Sequence, residues 1–293
     1  MAKKLIIRIK DYFSLVKFSH TVFAMPFALI GFALGLTAGE RKFSWQIFVL
    51  IILCMVFARN AAMGFNRIAD RYYDALNPRT SSREIPSGKI QVRSAALFVI
   101  INSLLFIISA GLINRLTLFL SPLALAIILG YSLTKRFTWL CHFILGLGLS
   151  LAPIGAYIAV TDRFRIIPVI FSLMVLTWVS GFDIIYSLQD DQFDRENRLL
   201  SIPSVKGIKL ALTVSGIIHF CTLLFVILAG FILKGGIFYW TGASLFILLL
   251  VYQHIIVKPN DISRVNLAFS TLNGIGSIIF ALFVITDLFY YYG

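Results

Sequence analysis

The chain has 293 residues, 59% of them hydrophobic and 13% charged, with a net charge of +13 and a mean hydropathy of +0.91. A soluble globule of this length could not hide that much apolar surface, whereas apolar runs of about 20 residues, each able to cross a ~30 Å hydrocarbon core, account for it. A soluble fold is therefore excluded. Long continuous runs point to helices rather than a barrel, because lipid demands that a spanning segment satisfy its own backbone groups.

In chain order, nine such runs lie at roughly 19–38, 44–65, 93–113, 117–134, 138–160, 166–187, 208–232, 236–257 and 265–290. Short loops join them, so residues 1–293 are expected to form one all-α, polytopic transmembrane domain. The first run follows Lys3, Lys4, Arg8 and Lys10 and reads as a retained span rather than a cleaved signal peptide. With the N-terminus inside, most of the 26 basic residues fall in cytosolic segments, among them Arg67, Arg71, Arg79, Arg83, Lys135, Arg136, Arg195 and Lys206. That excess predicts a cell (inner) membrane protein with a cytoplasmic N-terminus and an outside C-terminus. The charge thus sets orientation and is no footprint for nucleic acid. Cys54, Cys141 and Cys221 all fall in apolar runs and have neither disulfide nor metal spacing.

Two cytosolic segments differ from the rest. NRIADRYYDALNPRTSSREIPSGKI, from Asn66 to Ile90, follows the second run, and DIIYSLQDDQFDRENRLLSIPSVKG, from Asp183 to Gly207, follows the sixth. Together they hold most of the 13 acidic residues: Asp70, Asp74, Glu84, Asp183, Asp190, Asp191, Asp194 and Glu196. Each carries Asp-x-x-x-Asp at the end of a span and continues to Ile-Pro-Ser. They enter the cytosol in the same direction, which suggests a parallel repeat of four-helix units followed by a ninth helix.

Helical spacing stacks Asn66, Asp70 and Asp74 on one face, and likewise Asp190 and Asp194, with Asp183 two turns earlier. Clustered carboxylates near lipid repel one another unless a cation compensates. Mg²⁺ suits them, since it is a hard ion that takes one or two carboxylates together with substrate phosphate oxygens. Asp70, Asp74, Asp190 and Asp194 are the expected metal ligands. Arg67, Arg71, Arg79, Arg83, Lys135 and Arg136 are placed to bind phosphate oxygens. A diphosphate beside an apolar bundle implies a lipid-like substrate. If that is an allylic prenyl diphosphate, its departure leaves a carbocation that must be shielded from water and that aromatic faces can stabilise. Tyr186, one turn before Asp190, is suitably placed for this.

These motifs resemble the UbiA superfamily of intramembrane prenyltransferases. The first motif of that family, Asn-x-x-x-Asp-x-x-x-Asp followed by Arg-Thr and another Arg, is met by Asn66, Asp70, Asp74, Arg79, Thr80 and Arg83. The second, a Tyr before Asp-x-x-x-Asp, is met by Tyr186, Asp190 and Asp194. The intervening Tyr-x-x-x-Lys-Arg-x-Thr resembles Tyr131, Lys135, Arg136 and Thr138, and KFSHTVFAMPFAL, Lys17 to Leu29, is similar to the first helix of quinone-forming members. The resemblance implies nine helices around a central cavity and Mg²⁺-dependent transfer of a polyprenyl chain to a small aromatic acceptor such as 4-hydroxybenzoate, in contact with membrane lipid. It implies that the four Asp carboxylates hold the diphosphate through Mg²⁺, with Asn66 assisting. Lys135 and Arg136 would stabilise the departing diphosphate. Arg67, Arg79, Arg83, Tyr131, Tyr186 and Asp183 would contact substrates, and Asp190 or Asp191 would help remove the ring proton or activate a ring hydroxyl. Where ubiquinone-forming members often carry Lys-x-Gly-x-Lys-Ser, this chain has RENRLLSIPSVKG, with no lysine before Lys206. That form looks more like the branch associated with menaquinone made by the futalosine route, whose acceptor is a naphthoate.

A secondary transporter is the rival from another class, but transporter acids lie toward the bilayer midplane, whereas these lie at span ends beside arginines. A CDP-alcohol phosphotransferase would need an Asp-Gly-x-x-Ala-Arg element, which is absent. His20, in the first-helix similarity, is a candidate for approaching the acceptor.

Overall fold

The structure, a computed structural model, describes residues 11–12, 14–16, 23–39 and 42–292. Among these, all extended regular structure is helical: α1 (Met25–Thr37), α2 (Trp45–Ala69), α3 (Arg71–Leu76), α4 (Val92–Ile113), α5 (Arg115–Thr134), α6 (Cys141–Thr161), α7 (Ile166–Ser187), α8 (Asp191–Glu196), α9 (Ile202–Lys206), α10 (Ile208–Leu233), α11 (Ile237–Ile256) and α12 (Asn273–Tyr292). Eight segments are long and apolar enough to span a membrane, α7 continuing through α8 and α12 preceded by a π-helical stretch, Leu267–Leu272. The protein is a multi-pass membrane protein. Eight of the nine expected runs are met at span length; α1 covers the first in part, and residues 17–22, including His20, lie outside the described residues.

Local chemistry sets the helix ends. Ser44 and Asn114 accept hydrogen bonds from Ile47 N and Thr117 N at 3.4 and 2.8 Å, satisfying amides that a helix start leaves open. Asp162 and Lys234 close α6 and α10 in the left-handed region, at φ 56° and 51°. α11 starts instead on a distant carboxylate: Asp287 of α12 accepts from Gly236 N and Tyr239 N, both at 3.0 Å.

α6 packs along α7, α10 along the other side of α7, α2 along α4, and α1 along α6, while α12 contacts both α11 and α1 and so joins the last helix to the first. The α1–α6 contact depends on Gly31, since a Cβ there would lie 2.0 Å from the Pro153 carbonyl oxygen. α7 runs through the interior, with Phe171, Met174, Val175 and Trp178 fully buried. Side chains such as Phe119, Ile217, Phe231 and Leu282 point outward, as a lipid-facing surface requires. Polar groups inside the bundle find one another. Asn273 Oδ1 accepts from Trp178 Nε1 and Gln253 Nε2, both at 2.9 Å, and the His219 and His254 rings meet nitrogen to nitrogen at 2.8 Å.

Candidate active site

Both Asp motifs occupy the same end of the bundle, where their helices break. At Asp70 the backbone leaves ideal helix geometry (φ −89°, ψ 3°), and α3 begins at the next residue. The ladder continues across the break, from Asp70 N to Asn66 O and from Asp74 N to Asp70 O, both at 2.8 Å. The expected stacking of Asn66, Asp70 and Asp74 therefore survives, and Asn66 Nδ2 donates to Asp70 Oδ2 at 2.9 Å. The second motif has a similar break: α7 passes into a 3₁₀ turn, Leu188–Asp190, before α8.

The loop after the first motif reaches the second. Asn77 Nδ2 donates to Asp190 Oδ1 at 3.1 Å, and the Arg79 guanidinium grips Asp190 through Nε (3.0 Å to Oδ1) and its second terminal nitrogen. Arg79 also donates to the Tyr186 hydroxyl at 3.1 Å. A third loop joins them: Lys135 Nζ lies 2.8 and 2.6 Å from the two oxygens of Asp194, and Arg136 lies 3.5 Å from Asp70. Arg83 completes the set at 2.6 Å from Asp74. The two motif segments thus stand side by side, as the repeat reading expects.

Each motif carboxylate is paired with its own cation. The sequence reading expected carboxylates gathered around a metal and basic groups turned to phosphate. Among the described residues, no three acidic, imidazole or thiol groups converge as a ready-made metal site. The physical reason is the repulsion between carboxylates, which guanidinium and ammonium groups relieve by standing between them. Burial, and then the charge of Asp74, push the Asp70 carboxyl up to about 6 against the pull of Arg136, Lys135 and Arg83. Burial works against the Lys135 ammonium, yet the Asp194 charge and hydrogen bond outweigh it and hold its pKa above that of an ordinary lysine. Arg79 is raised in the same way by Asp190. The donor chemistry fits a hard divalent cation: the oxygens are mostly carboxylate, and Asp74 Oδ2 is buried without a hydrogen-bond partner.

The remaining expected residues fall in three places. Arg67 is only 2% exposed, and its Nε has no partner. It lies within electrostatic reach of Asp74 and Glu84 and is closed off from solvent. Asp191 is held by Arg195 at 3.0 Å. Tyr131, one turn before Lys135, lines an apolar cavity of about 350 Å³ between α2, α4, α5 and α6, which extends to Thr117 and Phe164 at the opposite end. The same cavity is lined by Arg59, which the sequence reading left without a role. Its Nε is buried without a partner and, among the described residues, no carboxylate pairs with it. The signal was present in the sequence, because a lone arginine inside an apolar span marks function by default. Asp183 meets His142, with Oδ2 2.7 Å from Nδ1, and Phe269 stacks on Tyr186 at 4.1 Å. Neither pairing was anticipated.

Residues 24–283 match the UbiA prenyltransferase family. A 4-hydroxybenzoate octaprenyltransferase of Aliivibrio fischeri (strain ATCC 700601 / ES114) is 30% identical over 243 residues, covering 80% of this chain and 82% of the relative. One from Francisella tularensis subsp. novicida is 29% identical over 237 residues, 81% and 83% of the two chains. Among solved structures, a UbiA homologue from Aeropyrum pernix K1 superposes with a TM-score of 0.83 at 33% identity, over 92% of this chain and 98% of that one. A UbiA homologue from Archaeoglobus fulgidus, bound to GPP and Mg²⁺, shares the fold with a TM-score of 0.71 at 21% identity, over 95% and 99%. Motif order, helical architecture and these matches agree: the chain is an enzyme of the UbiA prenyltransferase family.

Proposed function

We propose that this prenyltransferase moves a polyprenyl group from an allylic prenyl diphosphate onto a ring carbon of an anionic aromatic acceptor, in quinone biosynthesis at the cytoplasmic face of the membrane. The observation that carries the reading is the convergence of both Asp motifs with Arg79, Arg83, Lys135 and Arg136 at one end of the bundle, above an apolar cavity edged by an arginine that no carboxylate among the described residues pairs with. The A. fulgidus homologue binds GPP and Mg²⁺, and the oxygen donors here suit the same pair. Asp70, Asp74, Asp190 and Asp194 would hold Mg²⁺, with Asn66 assisting, and the ion would neutralise diphosphate charge as the C1–O bond breaks. Lys135 and Arg136 turn from carboxylate to phosphate oxygens and stabilise the leaving group, with Arg79 and Arg83 as secondary contacts. The prenyl tail lies in the apolar cavity, where water is excluded from the allylic cation. Tyr131 lines that cavity, and Tyr186, stacked on Phe269 and holding Arg79, stands at its motif end.

Arg59 bears on the acceptor. A guanidinium in an apolar cavity is costly unless an anion meets it, and a ring carboxylate supplies one. 4-Hydroxybenzoate fits the named relatives, and a naphthoate of the futalosine route fits the Ser-Ile-Pro form after the second motif. Orientation follows from the basic loops at the motif end, and residues 1–293 act as one domain.

The test is purified protein in lipid with Mg²⁺ and geranylgeranyl diphosphate, offered 4-hydroxybenzoate or the naphthoate, with products identified by mass spectrometry. The expected result is a prenylated ring that is lost with EDTA and in Asp70→Ala and Asp190→Ala. Diphosphate binding without any ring product from either acceptor would remove the acceptor class, and no diphosphate binding would remove the reaction.

A further inference from the structure

Asp183 and His142 stand outside the ion pairs of the two motifs, and the reaction as described leaves open which group receives the ring proton. His142, in the first turn of α6, is 1% exposed. Its Nε2 lies 3.3 Å from the Ile202 backbone nitrogen, an N–H that can only donate. Nε2 therefore presents its lone pair, and the imidazole proton sits on Nδ1, 2.7 Å from Asp183 Oδ2. Ile202 is itself fixed: Ser201 and Ser204 form a reciprocal capping box at the start of α9. The Ser-Ile-Pro-Ser element, which the sequence reading used only for the repeat and the family branch, thereby locks the tautomer of a histidine that holds a carboxylate.

The other Asp183 oxygen is open. The side chain is 21% exposed, and among the described residues its hydrogen bond is to His142 alone. Helical spacing puts Asp183, Tyr186 and Asp190 on one face of α7 and its continuation, and Tyr186 and Asp190 both take Arg79 in the site. The open edge of Asp183 thus faces the site. Tyr131, on the cavity wall, lies within electrostatic reach of Asp183, Asp70 and Arg59. Depth agrees. At 1.5 Å per residue, Asp183 lies about 10 Å below Asp190, and Arg59 about 16 Å below Asp70. A benzoate with its carboxylate on Arg59 carries its ring carbons up to the level of Asp183. Asp190 and Asp191 are poorer bases, since Asn77 and Arg79 occupy Asp190 and Arg195 holds Asp191.

We infer that Asp183 is the base of the transfer and His142 its positioning residue, an assignment that rests on the proposed aromatic-acid acceptor. The C1–O bond of the prenyl diphosphate breaks, and its electron pair leaves on the diphosphate. A ring π pair then forms the new C–C bond to C1. The open oxygen of Asp183 takes the proton from that ring carbon, and the C–H pair restores aromaticity. His142 keeps its Nδ1–H on Oδ2 throughout, so the accepting oxygen stays aimed at the ring.

The test uses full-length protein in lipid with Mg²⁺, geranylgeranyl diphosphate and whichever of 4-hydroxybenzoate and the naphthoate wild type prenylates, ring-protonated or ring-deuterated. Asp183→Asn, which keeps the shape, should lose about 10²–10⁴-fold in kcat, the range for a general base. His142→Leu should lose about 10²-fold, the cost of a misaimed group, with KM for the diphosphate within about twofold of wild type. It should also gain a primary isotope effect on the deuterated ring that wild type lacks, because slowed proton removal then limits turnover. His142→Gln, whose amide offers both a donor and an acceptor, should recover much of the rate and lose most of the isotope effect. Wild-type kcat in His142→Leu, or a loss shared with diphosphate KM and without an isotope effect, overturns the assignment. If His142→Leu does not fold, Asp183→Asn turnover within threefold of wild type overturns it. No prenylated ring from wild type would instead overturn the functional reading beneath it.

Discussion

Lys135→Met tests whether the site's charges are held as pairs. Lys135 Nζ lies 2.8 and 2.6 Å from the two oxygens of Asp194, a carboxylate that is 1% exposed. Removing the ammonium leaves Asp194 with the Ser201 hydroxyl, 3.1 Å from Oδ2, as its remaining donor. Breaking a buried pair costs about 3–5 kcal/mol. Because Lys135 is 32% exposed and Ser201 remains, about 2–3 kcal/mol is the better figure. At roughly 2–4 °C per kcal/mol, the melting temperature in EDTA should fall by about 5–10 °C. Mg²⁺ should restore more of it than it adds to wild type, because in wild type the ion has to displace Lys135, whereas in the variant it meets an uncompensated carboxylate. The Lys135→Met/Asp194→Asn double variant should be more stable than Lys135→Met alone, which separates charge from packing. The assay is thermal unfolding in one detergent, with and without saturating Mg²⁺. A Lys135→Met protein as stable as wild type in EDTA, or one gaining no more from Mg²⁺, refutes the pairing.

Three further outcomes are expected. Asp70, raised to about 6, would as a metal ligand bind only when ionised, so apparent Mg²⁺ affinity should fall as pH drops through 6, by about tenfold per unit at the limit of one linked proton; titration at pH 5.5 and 7.5 checks this, and equal affinities would exclude Asp70 as a ligand. Arg59→Leu should raise the acceptor KM by at least about tenfold, the loss of one charged hydrogen bond, leave the diphosphate KM unchanged in steady-state kinetics, and not destabilise the fold. Asp287→Ala should cost about 1–2 kcal/mol in unfolding experiments, since it strips the amides of Gly236 and Tyr239 at the start of α11.

The fold and half of the site were legible in the residues for separate reasons. Apolar length is a property of each span by itself, so the spans could be read one at a time. The four-residue spacing of Asn66, Asp70 and Asp74 survives a helix break because the backbone ladder bridges it. Pairing is different in kind. Which oxygen a lysine or arginine selects depends on loops brought together across the bundle: Asn77 reaches Asp190, Lys135 reaches Asp194, and His142 reaches Asp183. No local spacing records those meetings. The basic residues were rightly grouped with the carboxylates, but they were expected to wait for phosphate rather than to hold Asp side chains. Arg59 was visible as a charge in an apolar run, yet only the structure shows that it lines a cavity and that no carboxylate among the described residues pairs with it.

The pairing also predicts how the two halves of the substrate complex depend on each other. Asp70, Asp74, Asp190 and Asp194 carry four negative charges, and Arg136, Arg83, Arg79 and Lys135 carry four positive ones. Metal ions entering alone would displace cations with no anion to receive them. A diphosphate entering alone would draw those cations from carboxylates that then lie uncompensated near lipid, which is costly. Together, on the proposed assignment, the ions would take the carboxylates and the phosphate oxygens the arginines and lysine, so each displaced charge would find a partner. Mg²⁺ and diphosphate binding should therefore be positively coupled, and by linkage each should tighten the other by the same factor. A coupling of at least about tenfold, 1.4 kcal/mol, is expected. It can be measured as Mg²⁺ affinity with and without a non-reactive thio-diphosphate analogue, and as analogue affinity with and without Mg²⁺. Independent binding would show that the cations leave the carboxylates without cost, and the ion pairs would then have no part in gating the site.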